Sequence, residues 1–169
     1  MSNKIYSFEP IIDQNSKILI LGTLPGPESL KMSQYYANPH NQFWNIVYTV
    51  FGEEKIGLTY QEKTFFLTEH KLALWDIFYS ADRIGALDAD IKNGTPNSIP
   101  ELLENHPGIK RILLNGRKAD ESFRKFFPNI AIDAAYVPST SPAYAKKSLP
   151  EKMIDWKSAI INEGCRRCL

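Results

Sequence analysis

Cysteine is scarce in this sequence, with two residues in a chain of 169. Cys165 and Cys168 lie near the C-terminus, away from any predicted strand-to-helix turn of the kind that carries a redox pair, so we expect reduced thiols. They are too few for a cysteine-ligated iron–sulfur cluster. The histidines His40, His70 and His106 add no zinc-ligand spacing. The sequence therefore predicts no metal and no other cofactor.

Excess charge of either sign is also lacking. The chain has 20 Lys and Arg residues against 19 Asp and Glu residues, a formal net charge of +1. This balance excludes a strongly basic protein that binds nucleic acid indiscriminately, so any contact with DNA must be local. The basic pairs that could contact phosphates, or could simply be solvated helix faces, are Arg117-Lys118, Arg124-Lys125, Lys146-Lys147 and Arg166-Arg167.

Long hydrophobic runs are missing as well. No apolar segment approaches the roughly 20 residues that a membrane helix needs. The first residues, from Met1 to Tyr6, lack the apolar stretch of a secretory signal. We therefore expect no membrane association and a cytoplasmic location.

The composition that remains is that of an ordinary folded protein. Hydrophobic residues make up 43% of the chain and aromatic residues 12%, which is typical of a globular protein with a single core. No internal repeat, low-complexity stretch or linker divides the sequence. We expect one domain over residues 1–169, acting as a monomer.

Short apolar runs predict the strands of this domain. They lie at 17–21, 72–77 and 111–114, and a fourth strand is predicted to begin at Ile130 and lead to Val137. Runs of this kind are typical of strands that are buried on both faces.

Helices are predicted between and after the strands. Apolar residues recur at helical spacing over 43–51, 60–69 and 117–127. Two further helices are expected after Ser98 and Ser148, because each serine is followed by a glutamate at capping-box spacing.

The alternation of strands and helices predicts an α/β fold. Parallel strands joined by right-handed crossovers place helices on both faces of a sheet, so we expect a three-layer α/β/α arrangement with a mostly parallel four-stranded sheet. Ligands bind such sheets at the carboxyl ends of the strands. The loops after Leu21, Ile77, Leu114 and Val137 should therefore line one site. Residues 85–96 predict a long polar loop.

The first of these loops reads Gly22-Thr23-Leu24-Pro25-Gly26. Its glycines and its proline force a tight exit from the strand and let the backbone approach a ligand closely. It has neither the lysine of a P-loop nor the glycine spacing of a dinucleotide site. Taken alone, it also fits an ordinary strand-to-helix turn.

Three later segments add to the evidence of this loop. They are NPHNQFW at 38–44, ILLNG at 112–116 and PSTSP at 138–142. With residues 22–26 they resemble the uracil-DNA glycosylase superfamily, whose mismatch-specific members have Gly-x-Asn-Pro-Gly followed by Asn-Pro-x-Asn-x-Phe-Trp. The segment 38–44 is the most specific part of the resemblance, which extends over nearly the whole chain.

The resemblance implies a DNA repair enzyme. Such enzymes flip a damaged base out of the helix and hydrolyse its N-glycosidic bond, which leaves an abasic site. Trp75, Asp76 and the segment GALD at 85–88 are most similar to the DNA-deoxyinosine (hypoxanthine-DNA) glycosylase branch. The expected partner is therefore DNA with a deaminated base, in duplex or single-stranded form. Since nothing suggests a lysine poised for a Schiff base, we expect no lyase step.

One position departs from the superfamily pattern. Leu24 stands where relatives have an aspartate or asparagine that orients the attacking water, and a leucine cannot hold water. The resemblance to the deoxyinosine branch implies that asparagines at other positions take over, and those that match are Asn38 and Asn115. Side-chain amides suit this chemistry because they can donate to a departing base on which negative charge grows.

Other residues of the same segments are candidates for binding the base and the DNA backbone. Tyr36 and Phe43 could stack on the flipped base, and either Pro142 or Tyr144 could wedge into the vacated stack. The candidate substrate-binding residues are Gly22, Thr23, Leu24, Pro25, Tyr36, Asn41, Phe43 and Asp76, and the candidate DNA-binding residues are Ser139, Thr140, Ser141, Pro142, Tyr144 and Lys146.

Each candidate also has a purely structural alternative. Asn38 could start a turn, Asn41 could cap the following helix, and Asn115 with Gly116 could form a strand-end turn. Phe43 could belong to the core, Pro142 and Tyr144 could be simple loop packing, and Asp76 could be a buried carboxylate that accepts from backbone amides. Two other functions also stay open: a glycosylase for uracil or thymine in mismatches, and a damage-binding module without catalysis, for which Leu24 is the best argument.

Overall fold

Seven strands and six α-helices make up the computed structural model, which describes residues 4–161. The strands are β1 (Lys4–Tyr6), β2 (Ile18–Gly22), β3 (Leu72–Asp76), β4 (Phe78–Asp82), β5 (Lys92–Pro96), β6 (Arg111–Asn115) and β7 (Asp133–Val137). The helices are α1 (Pro27–Met32), α2 (Phe43–Val50), α3 (Tyr60–Glu69), α4 (Ile99–Asn105), α5 (Arg117–Phe126) and α6 (Leu149–Ile161). A short 3-10 helix covers Asp88–Asp90.

The central sheet has four strands in the order β3-β2-β6-β7, and every neighbouring pair is parallel. The predicted α/β class and the predicted four-stranded sheet are therefore confirmed. The fourth strand begins at Asp133 instead of Ile130. Ile130 and Ile132 pack at the edge of the core instead, so their apolar character does not make them part of the ladder.

Alternate residues of β2 face opposite layers of helices. Ile18 and Ile20 pack with α2, α3 and α6, whereas Leu19 and Leu21 pack with α4 and α5. This double burial is the reason that the strand is apolar without a break, and it confirms the three-layer arrangement. No helix within residues 4–161 has both the length and the apolar character to cross a membrane.

A second sheet replaces much of the predicted polar loop at 85–96. It is antiparallel, with three strands in the order β1-β4-β5. The sequence of β5 lacks hydrophobic alternation, so its strand conformation comes from pairing with β4, not from a pattern of its own. Gly94 allows this pairing, because a Cβ atom there would lie 2.4 Å from the Phe78 ring.

The predicted capping boxes did not form as expected. The Ser98 hydroxyl makes no capping bond to α4. At α6 one half of the box forms, because Ser148 donates its backbone N–H to Glu151 at 2.7 Å, and its hydroxyl donates to the same carboxylate. The complete box lies at α3, where Thr59 and Glu62 bond reciprocally. Extended backbone at Thr59, with ψ of 156°, aims the hydroxyl at the helix, whereas ψ at Ser98 is 58°.

The helix starts at Thr59 and Ser98 predict different losses of stability when each residue is replaced by alanine. Thr59→Ala removes the hydroxyl that accepts from the Glu62 N–H, leaves the Thr59 N–H bond to Glu62 in place, and should lower the free energy of unfolding by about 1 kcal/mol. Ser98→Ala removes no capping bond and serves as the matched control, with a change below about 0.5 kcal/mol. Urea unfolding of both variants measures the difference, and equal losses would contradict this account of the two helix starts.

Candidate active site

The four parallel strands end at one edge of the central sheet, at Gly22, Asp76, Asn115 and Val137. Gly22 lies opposite Asp76 in the register of β2 and β3, and Asn115 lies opposite Val137 in the register of β6 and β7. We call this the carboxyl edge. As expected for a parallel sheet, it brings the polar residues of distant segments together.

Gly22 lies at the centre of this edge. A Cβ atom on Gly22 would come within 2.7 Å of Asp76 Oδ1 and 3.2 Å of the Tyr36 hydroxyl. The carboxyl group and the phenol therefore approach the same backbone position from two sides. Only glycine leaves room for both, which gives this residue of the predicted loop a specific steric role.

The Asn115 side chain connects three segments of the site. Its Nδ2 group donates to the Tyr36 hydroxyl at 2.8 Å and to Thr140 Oγ1 at 3.1 Å, and its Oδ1 atom accepts from the Thr140 backbone N–H at 3.1 Å. Both amide hydrogens are thus committed, and one lone pair of Oδ1 is left for a ligand. Asn115 is buried and is more than a strand-end turn.

The Tyr36 ring forms a fixed aromatic surface. It stacks on Phe43 with ring centroids 4.0 Å apart and an interplanar angle of 18°. Phe43 is fully buried and packs against Trp44 and Trp156, so the structure places it in the core. Tyr36 is half-buried and is the more accessible ring of the pair. Its backbone has φ of 53°, a left-handed conformation that is rare for a bulky residue.

Electrostatics keep the Tyr36 phenol protonated. Burial, and then the nearby Asp76 carboxyl group, raise its pKa above the ordinary value, outweighing the opposite effect of the Asn115 hydrogen bond. Since Asn115 donates to the phenol oxygen, the hydroxyl hydrogen remains available for another acceptor.

Asn38 forms a turn and keeps a donor group. Its Oδ1 atom accepts from the His40 backbone N–H and its carbonyl accepts from the Asn41 N–H, both at 2.9 Å. Within residues 4–161, no acceptor lies within hydrogen-bonding distance of Asn38 Nδ2. The structural alternative and the catalytic one are therefore compatible, because they use different atoms of one side chain.

The neighbouring segment is fixed by a buried cation that the sequence analysis missed. Lys152 of α6 is 1% exposed, and its ammonium group donates to Gln42 Oε1 at 2.8 Å and to the Tyr144 carbonyl at 3.0 Å. A lysine on the apolar face of α6, between Leu149 and Trp156, could have indicated such a buried contact in the sequence.

Asn41 caps the start of α2, where its Oδ1 atom accepts from the Phe43 N–H at 2.9 Å.

The loop from Ser139 to Lys146 has a buried part and an exposed part. Thr140 is 0% exposed. Besides its two bonds to Asn115, it accepts from the Gln42 N–H at 3.0 Å. The structure thus makes Thr140 the anchor of the loop, whereas a direct DNA contact was predicted. Pro142 and Lys146 are exposed.

The serines and the tyrosine of this loop stabilise its shape. Ser139 Oγ accepts from the Ser141 N–H, and Ser141 Oγ accepts from the Ala143 N–H. Tyr144 is half-buried, and the Lys152 ammonium lies 5.1 Å from its ring centroid. The proposed wedge role therefore fits the exposed Pro142 better than the enclosed Tyr144 ring.

The loop at 22–26 is held by the segment that follows β4. Thr23 Oγ1 donates to Asp88 Oδ1 at 2.7 Å, and the buried Arg83 guanidinium donates to the Pro25 carbonyl. Leu24 is buried in the core beside Leu21 and Ile77. The residue that departs from the superfamily pattern is thus a packing residue, and it directs no polar group at a substrate.

Asp76 is a buried carboxyl group that is protonated more readily than usual. Burial raises its pKa to about 7, and the negative charge of Asp88 adds to this, although the Ser7 hydroxyl bond and the positive charge of Arg83 oppose it. Ser7 Oγ donates to Asp76 Oδ2 at 2.8 Å. The partner of this carboxyl group is therefore a hydroxyl, whereas one alternative from the sequence had been a set of backbone amides.

Residues 4–161 contain no cluster of three or more His, Cys, Asp or Glu side chains that could hold an ion.

Two members of the basic pairs that could contact phosphates form ion pairs within the chain, Arg124 with Asp120 and Lys147 with Asp155. The remaining predictions, for Cys165, Cys168 and the Arg166-Arg167 pair, lie outside the described residues.

The pKa of Asp76 predicts how stability depends on pH. Because the folded-state pKa of about 7 lies above the unfolded value near 4, this group stabilises the fold at low pH and loses that contribution as the pH rises through 7. Asp76→Asn cannot ionise. Between pH 5 and pH 8, its free energy of unfolding should rise relative to the native chain by about 3 kcal/mol. Urea unfolding at both pH values tests this, and a difference independent of pH would contradict it.

Comparison with known proteins assigns the family. The model of the uracil DNA glycosylase superfamily matches residues 9–163. A hypoxanthine DNA glycosylase of Methanosarcina barkeri is 34% identical over 156 residues, which cover 92% of this chain and 98% of that protein. A hypoxanthine DNA glycosylase of Methanosarcina acetivorans is 36% identical over 136 residues, which cover 80% of this chain and 85% of the relative.

A solved structure agrees with the sequence relatives. The solution NMR structure of a Methanosarcina acetivorans protein assigned to the uracil DNA glycosylases superimposes with a TM-score of 0.82 and 32% identity, over 93% of this chain and 96% of that one. The shared fold and the matching sequence lead to one conclusion. The chain belongs to the uracil DNA glycosylase superfamily.

Proposed function

We propose that this chain hydrolyses the N-glycosidic bond of deoxyinosine in DNA, releasing hypoxanthine and leaving an abasic site. The observation that carries the proposal is the pair of neutral hydrogen-bonding groups at the carboxyl edge, Tyr36 and Asn115, with Asn38 two residues after Tyr36 in the same segment. The naming of two Methanosarcina relatives as hypoxanthine DNA glycosylases, at 34% and 36% identity, supports this choice of base.

The flipped base would lie against the open face of Tyr36. Because this ring is stacked on the buried Phe43, it offers a rigid platform that needs no rearrangement to receive a base. The remaining Oδ1 lone pair of Asn115 can accept the N1–H of hypoxanthine. That hydrogen distinguishes hypoxanthine from adenine, which presents an unprotonated N1 at the same position.

Bond cleavage would depend on stabilising the departing base. Negative charge grows on the purine as the glycosidic bond breaks, and donors aimed at it lower the barrier. The Nδ2 group of Asn38 and the hydroxyl hydrogen of Tyr36 are such donors. Asp76 repels this charge less when it is protonated, as it mostly is below pH 7. Since Leu24 offers no base for water, attack on the oxocarbenium-like sugar would follow departure of the purine.

The exposed part of the loop at 139–146 would hold the DNA backbone. Lys146 can contact a phosphate, and Ser139 and Ser141 can donate to phosphate oxygens while their loop stays anchored by Thr140. Pro142 lies at the exposed end of the loop, where it can contact the sugar or the base next to the lesion.

The reaction would stop at the abasic site. A lyase step requires an amine that reaches the sugar, and the buried Lys152 ammonium is already bonded to Gln42 and Tyr144. A DNA substrate is the reason for proposing a cytoplasmic location.

The substrate assignment is tested with end-labelled oligonucleotides. Duplexes and single strands that carry deoxyinosine, uracil, xanthine or mismatched thymine are incubated with the protein, and alkali then cleaves abasic sites. We expect scission at deoxyinosine and no scission before alkali treatment. Release of uracil with hypoxanthine left intact would overturn the choice of base. Tight binding without release of any base would indicate a damage-binding module.

The role of Asn38 is tested by comparing two asparagines. Asn38→Ala removes the donor and should lower the single-turnover rate about 100-fold, as loss of one donor to a developing anion does in other enzymes. Asn45→Ala, on the exposed side of α2, is the matched control and should leave the rate unchanged. Because the turn at Asn38 could loosen, circular dichroism and DNA affinity are measured on the same samples. Full activity of Asn38→Ala would remove it from the mechanism.

A further inference from the structure

Four consecutive exposed residues without a polar side chain lie beside the candidate site. They are Ile84, Gly85, Ala86 and Leu87, at the tip of the segment between β4 and β5. Ile84 is 78% exposed and Leu87 is 53% exposed. Runs of exposed apolar residues are unfavourable in a water-soluble surface unless they contact a partner. We call residues 84–87 the loop tip.

The loop tip is attached to the site from both ends. Arg83, directly before it, donates to the Pro25 carbonyl, and Asp88, directly after it, accepts from Thr23 Oγ1 at 2.7 Å. Both anchors therefore hold the loop at 22–26. Because Arg83 and Asp88 point inward to these contacts, Ile84 and Leu87 are left on the outer side. Gly85, with φ of 95°, allows the chain to reverse between them.

The chemistry of the loop tip selects its contact on DNA. It carries no cation and no side-chain donor, and the neighbouring residues Asp88 and Asp90 are acidic, so it is unsuited to phosphates. Apolar side chains of this size can instead enter a base stack, where they replace the contacts of an absent base. A DNA helix from which one base has been extruded offers such a space.

The loop on the other side of the site lacks an equivalent group. Its aromatic residue, Tyr144, is half-buried with the Lys152 ammonium 5.1 Å from its ring centroid, and its exposed residues Pro142 and Ala143 are small. The largest exposed apolar side chains on the two loops next to the site are therefore those of the loop tip.

We propose that the loop tip enters the DNA helix at the lesion and that Ile84 and Leu87 fill the space that the extruded base leaves. This inference rests on the proposed function, since it takes DNA with a flipped base as the partner. It assigns Arg83 and Asp88 a positioning role, because their bonds to Pro25 and Thr23 fix the loop tip relative to the loop at 22–26.

The test compares paired and unpaired substrates. Ile84→Ala/Leu87→Ala removes both apolar groups at exposed positions, where substitution leaves folding intact. On duplex DNA with deoxyinosine, its single-turnover rate should fall by at least about tenfold, because the vacated stack is no longer filled. On single-stranded DNA no stack needs to be opened, and the rate should stay within about twofold of the native rate.

A second measurement follows base extrusion directly. With 2-aminopurine next to deoxyinosine, the native protein should raise the fluorescence on binding and the double variant should raise it less. This signal does not require cleavage, so it tests the loop tip even if the native chain releases no hypoxanthine and the proposed function fails. The matched control is Ile154→Ala, at a 70% exposed position on α6, which should match the native chain in both assays.

Two results would overturn the proposal. One result is that the double variant has the same rate and the same fluorescence change as the native chain on duplex DNA. This would show that Ile84 and Leu87 do not enter the DNA helix. The other is an equal loss of rate on duplex and single-stranded DNA, because a residue that only fills a stack has no effect where no stack exists.

Discussion

The hydrogen bonds of the Asn115 amide hold the candidate site in one geometry. One side chain at the end of β6 bonds to the Tyr36 phenol and to both the backbone and the hydroxyl of Thr140. Tyr36 lies in the segment between α1 and α2, and Thr140 lies in the loop after β7, so three distant parts of the chain meet at one amide. Without the Asn115 amide, no side chain would bond both to Tyr36, which would stack on the base, and to Thr140, which anchors the loop that would contact the DNA backbone.

Charge is distributed around this amide in a consistent way. The cations that stabilise the site, Lys152 and Arg83, lie behind the loops and bond to protein oxygens. The groups at the carboxyl edge are the neutral Tyr36 phenol, the neutral Asn115 amide and an aspartate whose burial raises its pKa to about 7. Below pH 7, where Asp76 is mostly protonated, less negative charge at this edge opposes the charge that grows on a departing base.

The sequence allowed the central sheet to be predicted because β2 and the centre of β6 are apolar runs, a pattern that tertiary context rarely overrides. The second sheet could not be predicted, since β5 contains a glycine and a proline and owes its conformation to β4. At the site, motif resemblance selected Tyr36, Asn38 and Asn115 as candidates, and the structure joins Tyr36 and Asn115 by a hydrogen bond. It could not show that Thr140 turns inward, because orientation within a loop depends on partners such as Asn115 and Gln42 that are remote in sequence.

The left-handed backbone of Tyr36 has a consequence for how damage is recognised. A bulky residue at φ of 53° persists because its surroundings hold it, here by stacking on Phe43 and the bond from Asn115. The ring cannot swing aside for a larger base or move in for a smaller one without giving up both contacts. Adaptation therefore falls to the nucleic acid, and the sampling of open base pairs by the DNA itself would set the pace of the search for lesions.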